Sequence, residues 1–341
     1  MSEIKMEDLR KKLKSGVLDR CYLLYGKERY LQDYYGRELR KTVLGREDDP
    51  FNLRLLEGKN LDLQALADAV DAYPSFAERA MVEVRDYDPF QISEDEVKRL
   101  FAILEDLPDY CCVVFLYDTV EFKPDKRKKK LWEQLKKLVT LVEFPLQGQG
   151  ELTRWIQKHF NAKGKEITQE DAAYLLFLCG SQMDNLTNEI GKVAAYAKAG
   201  NVSRADIDAV VVPVVEAQTF KLTDALSEKD YERAAELMYK LFQLGTEPIA
   251  INATIGSQLR KLYAARLVKE AGGNAFTLAQ LLGSSSDYTC RQYLRICTSF
   301  REAWYLRMIR LSAETDLGMK SSQGDPEDLL RSLFVTMAAE A

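Results

Sequence analysis

The part of the chain that most constrains its fold is residues 21–35, which read CYLLYGKERYLQDYY. Cys21–Tyr25 is an apolar, aromatic-rich run typical of a buried strand. Gly26 interrupts this run, and a helical pattern begins near Tyr30. A strand, a tight turn and a helix in this order form the frame of a phosphate-binding loop.

The same segment lacks the residues that bind phosphate. A phosphate-binding loop needs several glycines, so that backbone N–H groups approach the phosphates, and then Lys followed by Ser or Thr for magnesium. Here Gly26 is followed by Lys27 and then by Glu28, an anion at the place where phosphate would lie. The sequence therefore predicts the fold of a nucleotide-binding turn without its chemistry.

Strands and helices alternate through the first part of the chain. The apolar run CCVVFLY shows no polar alternation, which is typical of a central strand buried on both faces. Strands separated by helices predict a parallel sheet with both faces covered. The predicted strands are Tyr22–Tyr25, Asn52–Leu56, Ala80–Val84, Cys111–Tyr117 and Thr140–Phe144. The predicted helices between them are Leu61–Val70, one that starts at Ser93 with Glu96 as its capping-box partner, and Lys128–Leu138.

After QGQGE, residues 147–151, the pattern becomes helical. A compact four-helix unit is predicted from Glu151–Ala162, Asp171–Leu178, Asp184–Lys198 and Arg204–Val211. Longer amphipathic helices are predicted at Val215–Leu226, Tyr231–Leu244, Pro248–Ala271 and Arg291–Glu314. We therefore expect an α/β domain over 1–147, a small helical lid over 148–212 and an all-α collar over 213–341.

Composition excludes several classes of protein. The net charge of −5 argues against a protein that coats nucleic acid by itself. No apolar run approaches the roughly 20 residues that span a bilayer, and the first residues contain no apolar signal segment, so we expect a cytoplasmic location without a membrane. Six cysteines without a CxxC pair and a single histidine, His159, argue against structural zinc, other metal sites and hydrolytic catalysis.

One strongly basic segment, KPDKRKKKLWEQLKK, covers residues 123–137. Its central residues are Lys126, Arg127, Lys128, Lys129 and Lys130. Lysines at the start of a helix oppose the helix dipole, so helix stability does not explain them. Two interpretations remain open: a solvated helix face that aids solubility, or a contact with DNA phosphates or an acidic partner.

The segment YPSFAER, residues 73–79, allows two interpretations. Pro74 fits the first turn of a short helix, which would place Ser75 and Phe76 beyond the edge of the sheet. A phenylalanine is most often a core residue, so burial of Phe76 is the simpler expectation. The alternative is an exposed anchor for a partner.

From end to end, the chain resembles the delta subunits of bacterial DNA polymerase III, which belong to the clamp-loader family. The matching segments, in the family's order, are LLYGKERYLQDYY, YPSFAERAMVEVRD, VVFLYD, GKEITQEDAAYLLFLCGSQMDNLTNEIGKVAAY and FKLTDALSEKDYERAAELMYKLFQLGTEPIAI. The resemblance implies an AAA+-like framework without catalytic or ATPase activity that opens the sliding beta clamp. It implies as partners the clamp, loader subunits of the gamma/tau and delta-prime types, and primed DNA within the assembly, with no cofactor.

The resemblance also assigns roles to single residues. Asp118 ends VVFLYD as in a Walker B strand, but Thr119 follows where an active ATPase carries Glu. Met183 occupies the position at which active relatives place an arginine on the nucleotide, and the family's Ser-Arg-Cys arginine-finger motif is absent from the sequence. In this family a hydrophobic pair at the position of Ser75 and Phe76 plugs a pocket on the clamp. Ser75 departs from that pattern, because the family can have a larger aliphatic residue there. The resemblance therefore implies that Phe76 carries the contact nearly alone, assisted by Tyr73 and Pro74.

Two other functions remain open at this point. A divergent AAA+ ATPase would bind nucleotide, although Glu28 and Met183 count against it. A helical adaptor would bind neither the clamp nor DNA.

Overall fold

A computed structural model describes residues 3–120, 122, 125–243, 245–283 and 287–341 of the chain. The chain divides into two compact units, Met1–Leu146 and Gln147–Ala341. The division lies beside the first predicted domain boundary. The separation of a lid from a collar at residue 212 stays a prediction.

Within the described residues of the first unit, six strands form one parallel sheet in the order β1-β6-β2-β5-β4-β3. The strands are β1 Glu3–Ile4, β2 Cys21–Gly26, β3 Leu53–Glu57, β4 Ala80–Arg85, β5 Cys111–Leu116 and β6 Thr140–Phe144. The five predicted strands are confirmed to within one residue at each end. The edge strand β1 was not predicted, because two residues are too short to show a period.

Helices cover both faces of this sheet. They are α1 Met6–Ser15, α2 Arg29–Leu44, α3 Leu63–Asp71, α4 Glu94–Glu105 and α5 Lys129–Leu138. One face packs on α3, α4 and α5 through alternate residues of β2, β4 and β5 such as Leu23, Val84 and Val113. Helix α2 contacts β2, β4, β5 and β6. Every residue of β5 is buried, so the prediction of a central strand covered on both sides is confirmed.

Local signals in the sequence fix where several helices begin. The Ser93 hydroxyl accepts the Glu96 backbone N–H, and the Glu96 carboxylate accepts the Ser93 backbone N–H, so the predicted capping box is confirmed. Helix α5 begins at Lys129, after a short 3₁₀ turn over Lys126–Lys128. These caps set the ends of the connections that carry the candidate sites.

The second unit is helical. Its helices are α6 Gln149–Ala162, α7 Gln169–Cys179, α8 Met183–Tyr196, α9 Arg204–Val210, α10 Val215–Ser227, α11 Tyr231–Gln243, α12 Pro248–Glu270, α13 Ala275–Leu282, α14 Asp287–Ile296, α15 Glu302–Lys320 and α16 Pro326–Ala339. Residues of α10, α12, α14, α15 and α16 share one buried apolar cluster. Among the described residues, no helix is both long and apolar enough to cross a membrane.

The prediction of one helix over Arg291–Glu314 was wrong. The chain leaves the helix after Ile296 and enters α15 at Glu302. In the break, the Tyr305 hydroxyl donates to the Cys297 carbonyl at 3.0 Å, and Arg266 Nη1 donates to the Phe300 carbonyl at 2.7 Å. These tertiary bonds satisfy carbonyls that a continuous helix would bond internally. The predicted end of the earlier helix at Leu244 lies outside the described residues.

A buried ion pair joins α2 to the sheet. Glu83 in β4 is fully buried, and its carboxylate accepts hydrogen bonds from Arg40 Nε and Nη2, both at 2.8 Å. Arg85 Nε donates to the same carboxylate at 2.8 Å. A buried carboxylate is tolerated only when it is paired and hydrogen-bonded, so this network fixes the position of α2 on the sheet.

We predict that Arg40→Met lowers the free energy of unfolding by about 3 kcal/mol, because it leaves part of the Glu83 carboxylate unpaired in the core. Arg37→Met is the matched control on the same helix. Arg37 Nε lies 3.8 Å from Glu47 Oε1 and both side chains are 40–50% exposed, so the loss should stay below about 1 kcal/mol. Urea-induced unfolding of the full chain measures both values. Equal effects of the two substitutions would contradict the prediction.

Candidate functional site

The turn after β2 is closed by the protein's own backbone. Gly26 has φ +135°, and a Cβ atom there would lie 2.3 Å from the Phe144 carbonyl oxygen of β6. The Glu28 backbone N–H donates to that same carbonyl at 3.0 Å. Gln32 Nε2 reaches back from α2 and donates to the Gly26 carbonyl at 2.9 Å. A backbone N–H that a phosphate would need is therefore already bonded to β6.

The side chains at this turn do not form an anion site. Lys27 is exposed, whereas Glu28 is buried as the residue that immediately precedes α2. A helix N-terminus attracts anions, but a buried carboxylate beside it opposes the approach of a phosphate. The turn therefore connects β2 to α2 through Lys27 and Glu28 alone, with the cation exposed and the anion buried.

Asp118 and Thr119 follow β5, which lies directly beside β2 in the sheet. Asp118 Oδ2 lies 3.8 Å from Arg85 Nη1, and the Asp118 backbone N–H donates to Asp86 at 2.7 Å. The Thr119 hydroxyl donates to Asp86 at 2.6 Å. Burial acts to raise the pKa of Asp86, but the donors from Thr119, Asp118 and Val120 outweigh it and lower that pKa. These groups are engaged with one another in a tight turn.

Met183 belongs to the second unit. It is the first residue of α8, and its side chain is buried. An apolar side chain that packs inside the helical unit offers no charge to a nucleotide.

The segment 72–79 precedes β4, at the amino-terminal ends of the parallel strands. The turn after β2 lies at their carboxyl-terminal ends. Phe76 is fully exposed, so the expectation that it is a core residue was wrong. The short helix expected at Pro74 was also wrong, because residues 73–79 form an irregular loop. Phe76 has φ +55°, a conformation that costs a non-glycine residue energy and persists only when its surroundings impose it.

Neighbouring side chains hold this loop in place. The Ser75 backbone N–H donates to Asn52 Oδ1 at 2.7 Å, and Asn52 Nδ2 donates to the Ser75 carbonyl at 3.1 Å. Tyr73 is 79% exposed and stacks on Tyr110, with ring centroids 4.9 Å apart. The Tyr110 hydroxyl donates to the Asp71 carbonyl at 2.8 Å, which ties the start of the loop to the end of α3. The loop thus presents a protruding aromatic ring on a fixed backbone.

The basic segment at α5 is partly committed to the protein itself. Lys128 Nζ donates to the Phe90 carbonyl at 2.6 Å, and Arg127 pairs with Asp125 at 3.1 Å. Lys129 and Lys130 are exposed, with no ion pair to another described residue. The side chain of Lys126 lies outside the described residues. Of the predicted contact residues, Lys129 and Lys130 are therefore the ones that offer charge to a partner.

Sequence reasoning missed the residues that hold the loop. Asn52 and Asp49 are buried polar residues beside β3, and Tyr110 lies before β5, far from the loop in sequence. Their types are ordinary for turns, so no local pattern distinguishes them. Pairing of β3 with β4 would have placed Asn52 near Ser75, but that register is visible only in the folded sheet.

The fold and these sites define the class: an α/β unit on a six-stranded parallel sheet, with a closed turn after β2, continued by a helical unit. The sequence profile described as "DNA polymerase III, delta subunit" matches residues 22–145, and "DNA polymerase III delta subunit, C-terminal domain" matches residues 216–337. The chain belongs to the DNA polymerase III delta-subunit family. This membership supports a clamp-loader role.

Individual relatives agree with this assignment. The chain is 26% identical to DNA polymerase III subunit delta of Bacillus subtilis (strain 168) over 339 residues, which covers 96% of this chain and 95% of the relative. It is 27% identical to a probable DNA polymerase III subunit delta of Aquifex aeolicus (strain VF5) over 135 residues, or 39% of each chain. The solved Bacillus subtilis DNA clamp loader delta protein matches with a TM-score of 0.59 and 24% identity over 98% of this chain and 99% of that one. The fold is therefore shared along nearly the whole length.

We predict no saturable binding of ATP with magnesium at submillimolar nucleotide, because the N–H of Glu28 is bonded to Phe144 and several phosphate donors are missing. Equilibrium titration with labelled ATP on the full chain measures this. Any saturable signal should be repeated with Glu28→Lys, which removes the buried carboxylate. A micromolar dissociation constant for the unmodified chain would contradict the prediction.

Proposed function

We propose that this protein is a non-catalytic clamp-loader subunit of the cytoplasmic DNA polymerase III holoenzyme that binds the sliding beta clamp and opens it for loading onto primed DNA. The observation that carries the proposal is the full exposure of Phe76 on a loop whose backbone is held by Asn52. Phe76 lies three residues from Tyr73, which is also largely exposed, and neighbouring exposed apolar side chains often mark a protein–protein contact. Family membership supports the sliding clamp as the partner in that contact.

Phe76 is the central anchor of the proposed contact. An aromatic side chain contributes most to binding when a pocket on the partner removes it fully from water. Ser75 is too small to be a second anchor, so Phe76 carries most of the apolar contact. Tyr73, stacked on Tyr110, and Pro74 add surface at its rim.

Opening the clamp without ATP hydrolysis in this chain requires only differential affinity. A ligand shifts a conformational equilibrium by the difference between its affinities for the two states. If the chain binds the open form of the ring more tightly than the closed form, its binding energy moves the ring toward the open form. The nucleotide-dependent steps then belong to the gamma/tau-type and delta-prime-type subunits, which the helical collar would contact.

The divergent-ATPase alternative is disfavoured by the closure of the turn at Gly26 and Glu28. The adaptor alternative leaves the exposed Phe76 without a role. No observation favours either over the clamp-loader function.

Contact with DNA is a separate part of the proposal. Lys129 and Lys130 are exposed at the start of α5, where two cations raise the local potential and oppose the helix dipole. We assign them to phosphate contact within the loader assembly. Lys128 is assigned to the fold through its bond to Phe90.

We predict that Phe76→Ala weakens clamp binding by around thirty- to several-hundred-fold, since truncating a buried interface aromatic costs roughly 2–4 kcal/mol. The melting temperature should stay nearly constant, because an exposed ring contributes little to the free fold. Surface plasmon resonance with the purified clamp and a thermal melt measure both quantities.

Phe276→Ala is the matched control for this substitution. Phe276 is 69% exposed on α13 in the second unit, so its removal subtracts the same ring from a surface of the other unit. It should leave clamp affinity unchanged. If Phe76→Ala bound the clamp at full strength, Phe76 would be excluded as the anchor.

We predict that the double substitution Lys129→Gln with Lys130→Gln reduces the slope of log affinity against log salt by about one for each lysine that meets a phosphate. Stability should change by less than about 1 kcal/mol. Binding of primed DNA by the reconstituted loader, titrated over salt concentration, measures the slope. Lys158→Gln with Lys163→Gln removes the same charge from exposed positions in the second unit. Equal slopes for the two double variants would favour a solvated face.

A further inference from the structure

Asn52 joins the start of β3 to the loop that precedes β4, at the amino-terminal ends of these two strands. Its exposed fraction is 2%, and its side-chain amide lies against the Ser75 backbone. The Oδ1 atom accepts the Ser75 N–H at 2.7 Å, and Nδ2 donates to the Ser75 carbonyl at 3.1 Å. One side chain therefore binds both backbone groups of a single residue, as a neighbouring strand would do.

The Asn52 side chain is itself fixed. Its Nδ2 also donates to Asp49 Oδ2 at 3.0 Å, and its backbone carbonyl accepts the Met81 N–H at 2.8 Å. Asp49 is buried and lies 3.3 Å from Arg46 Nη2. The Asn52 amide holds the pKa of the Asp49 carboxyl below its usual range; burial opposes this, and the Phe51 backbone N–H assists it. The clasp of Asp49, Asn52 and Ser75 is thus anchored in the sheet.

The clasp ends one residue before the exposed ring. Phe76 has φ +55°, which a phenylalanine avoids in a free loop. With Ser75 bound at both its N–H and its carbonyl, the direction in which the chain enters Phe76 is set. Without the clasp, the Ser75 backbone groups would bond water, and the loop would sample other conformations at small cost to the rest of the fold.

We infer that Asn52 is a positioning residue for clamp binding, which keeps the Phe76 loop in its binding conformation before the clamp arrives. The inference rests on the proposed function and adds a residue that does not touch the clamp. When only a fraction of molecules holds the binding conformation, the apparent dissociation constant rises by the inverse of that fraction. Asn52 therefore raises affinity by removing alternative loop conformations.

The experiment compares Asn52→Ala with Asn252→Ala in the full chain. Asn252 is equally buried in the second unit, where its Nδ2 donates to the Ser312 carbonyl at 2.9 Å and its Oδ1 accepts the Ser312 hydroxyl at 3.1 Å. Both substitutions remove a buried amide that binds one serine. We expect Asn52→Ala to weaken clamp binding about ten-fold and Asn252→Ala to leave it unchanged.

Two further readouts separate positioning from general destabilisation. Hydrogen exchange should show that the Ser75 amide loses protection in Asn52→Ala while the strands β4 and β5 keep theirs. In a double-mutant cycle, Asn52→Ala added to Phe76→Ala should change clamp affinity by less than about two-fold, because the clasp acts only through the ring. Additive effects of the two substitutions would overturn the inference.

If Asn52→Ala does not fold, Asn52→Ser keeps a hydroxyl donor for Asp49 and is too short to hold both Ser75 groups. The same ten-fold loss and the same loss of Ser75 protection are expected. The two proposals fail in different ways. Full clamp binding by Phe76→Ala would overturn the assigned clamp contact, whereas loss of binding in Phe76→Ala with full binding in both Asn52 variants would overturn only the role of Asn52.

Discussion

The hydrogen bond from the Glu28 N–H to the Phe144 carbonyl closes the turn on which the α/β unit is built. It joins the turn after β2 to the end of β6, the strand paired with β2 on that side. In a phosphate-binding loop this turn must stay open to a ligand, because its N–H groups are the binding site. Here the Glu28 N–H and the Gly26 carbonyl are bonded within the protein, and Gly26 is required so that the Phe144 backbone can approach. We therefore expect this turn to act as a structural connection and not as a nucleotide site.

The closed turn and the proposed partner contact lie at opposite ends of the strands of the sheet. In a parallel sheet the connections at the amino-terminal and carboxyl-terminal ends of the strands are separated by the length of the strands. The residues of one set of connections can therefore change independently of the other set. The closed turn and the bonded carboxylates of Asp86 and Asp118 lie at the carboxyl-terminal ends of the strands. The Phe76 loop and the clasp of Asp49, Asn52 and Ser75 lie at the amino-terminal ends. The β4 and β5 strands between them are buried, which gives the loop a rigid base.

The sequence predicted the sheet well because its strands are short apolar runs separated by clear helix caps. Thr140–Phe144 was predicted at its observed bounds, and Ser93 marked the start of α4. The prediction from sequence failed where tertiary hydrogen bonds override local helix preference. In the break between α14 and α15, Arg266 and Tyr305 donate to backbone carbonyls that a continuous helix would bond internally. The exposure of Phe76 could not be read from residue type, since an aromatic ring in a loop fits both a core and an interface. The role of Asn52 depends on strand register, which brings together residues 23 positions apart.

In the proposed function this subunit acts through binding energy alone, and a rigid loop suits that role. Ordering a flexible segment at each encounter with a partner would cost part of the binding free energy. If the backbone around Phe76 is ordered in the free chain, that cost is met once, during folding, by Asn52 and the Tyr73–Tyr110 stack. The surplus then remains available to favour the open state of the ring over the closed one. In the proposed function the turn at Gly26 and the clasp of Asp49, Asn52 and Ser75 are therefore complementary: the turn would exclude a nucleotide cycle from this chain, and the clasp would preserve the binding energy that acts in its place.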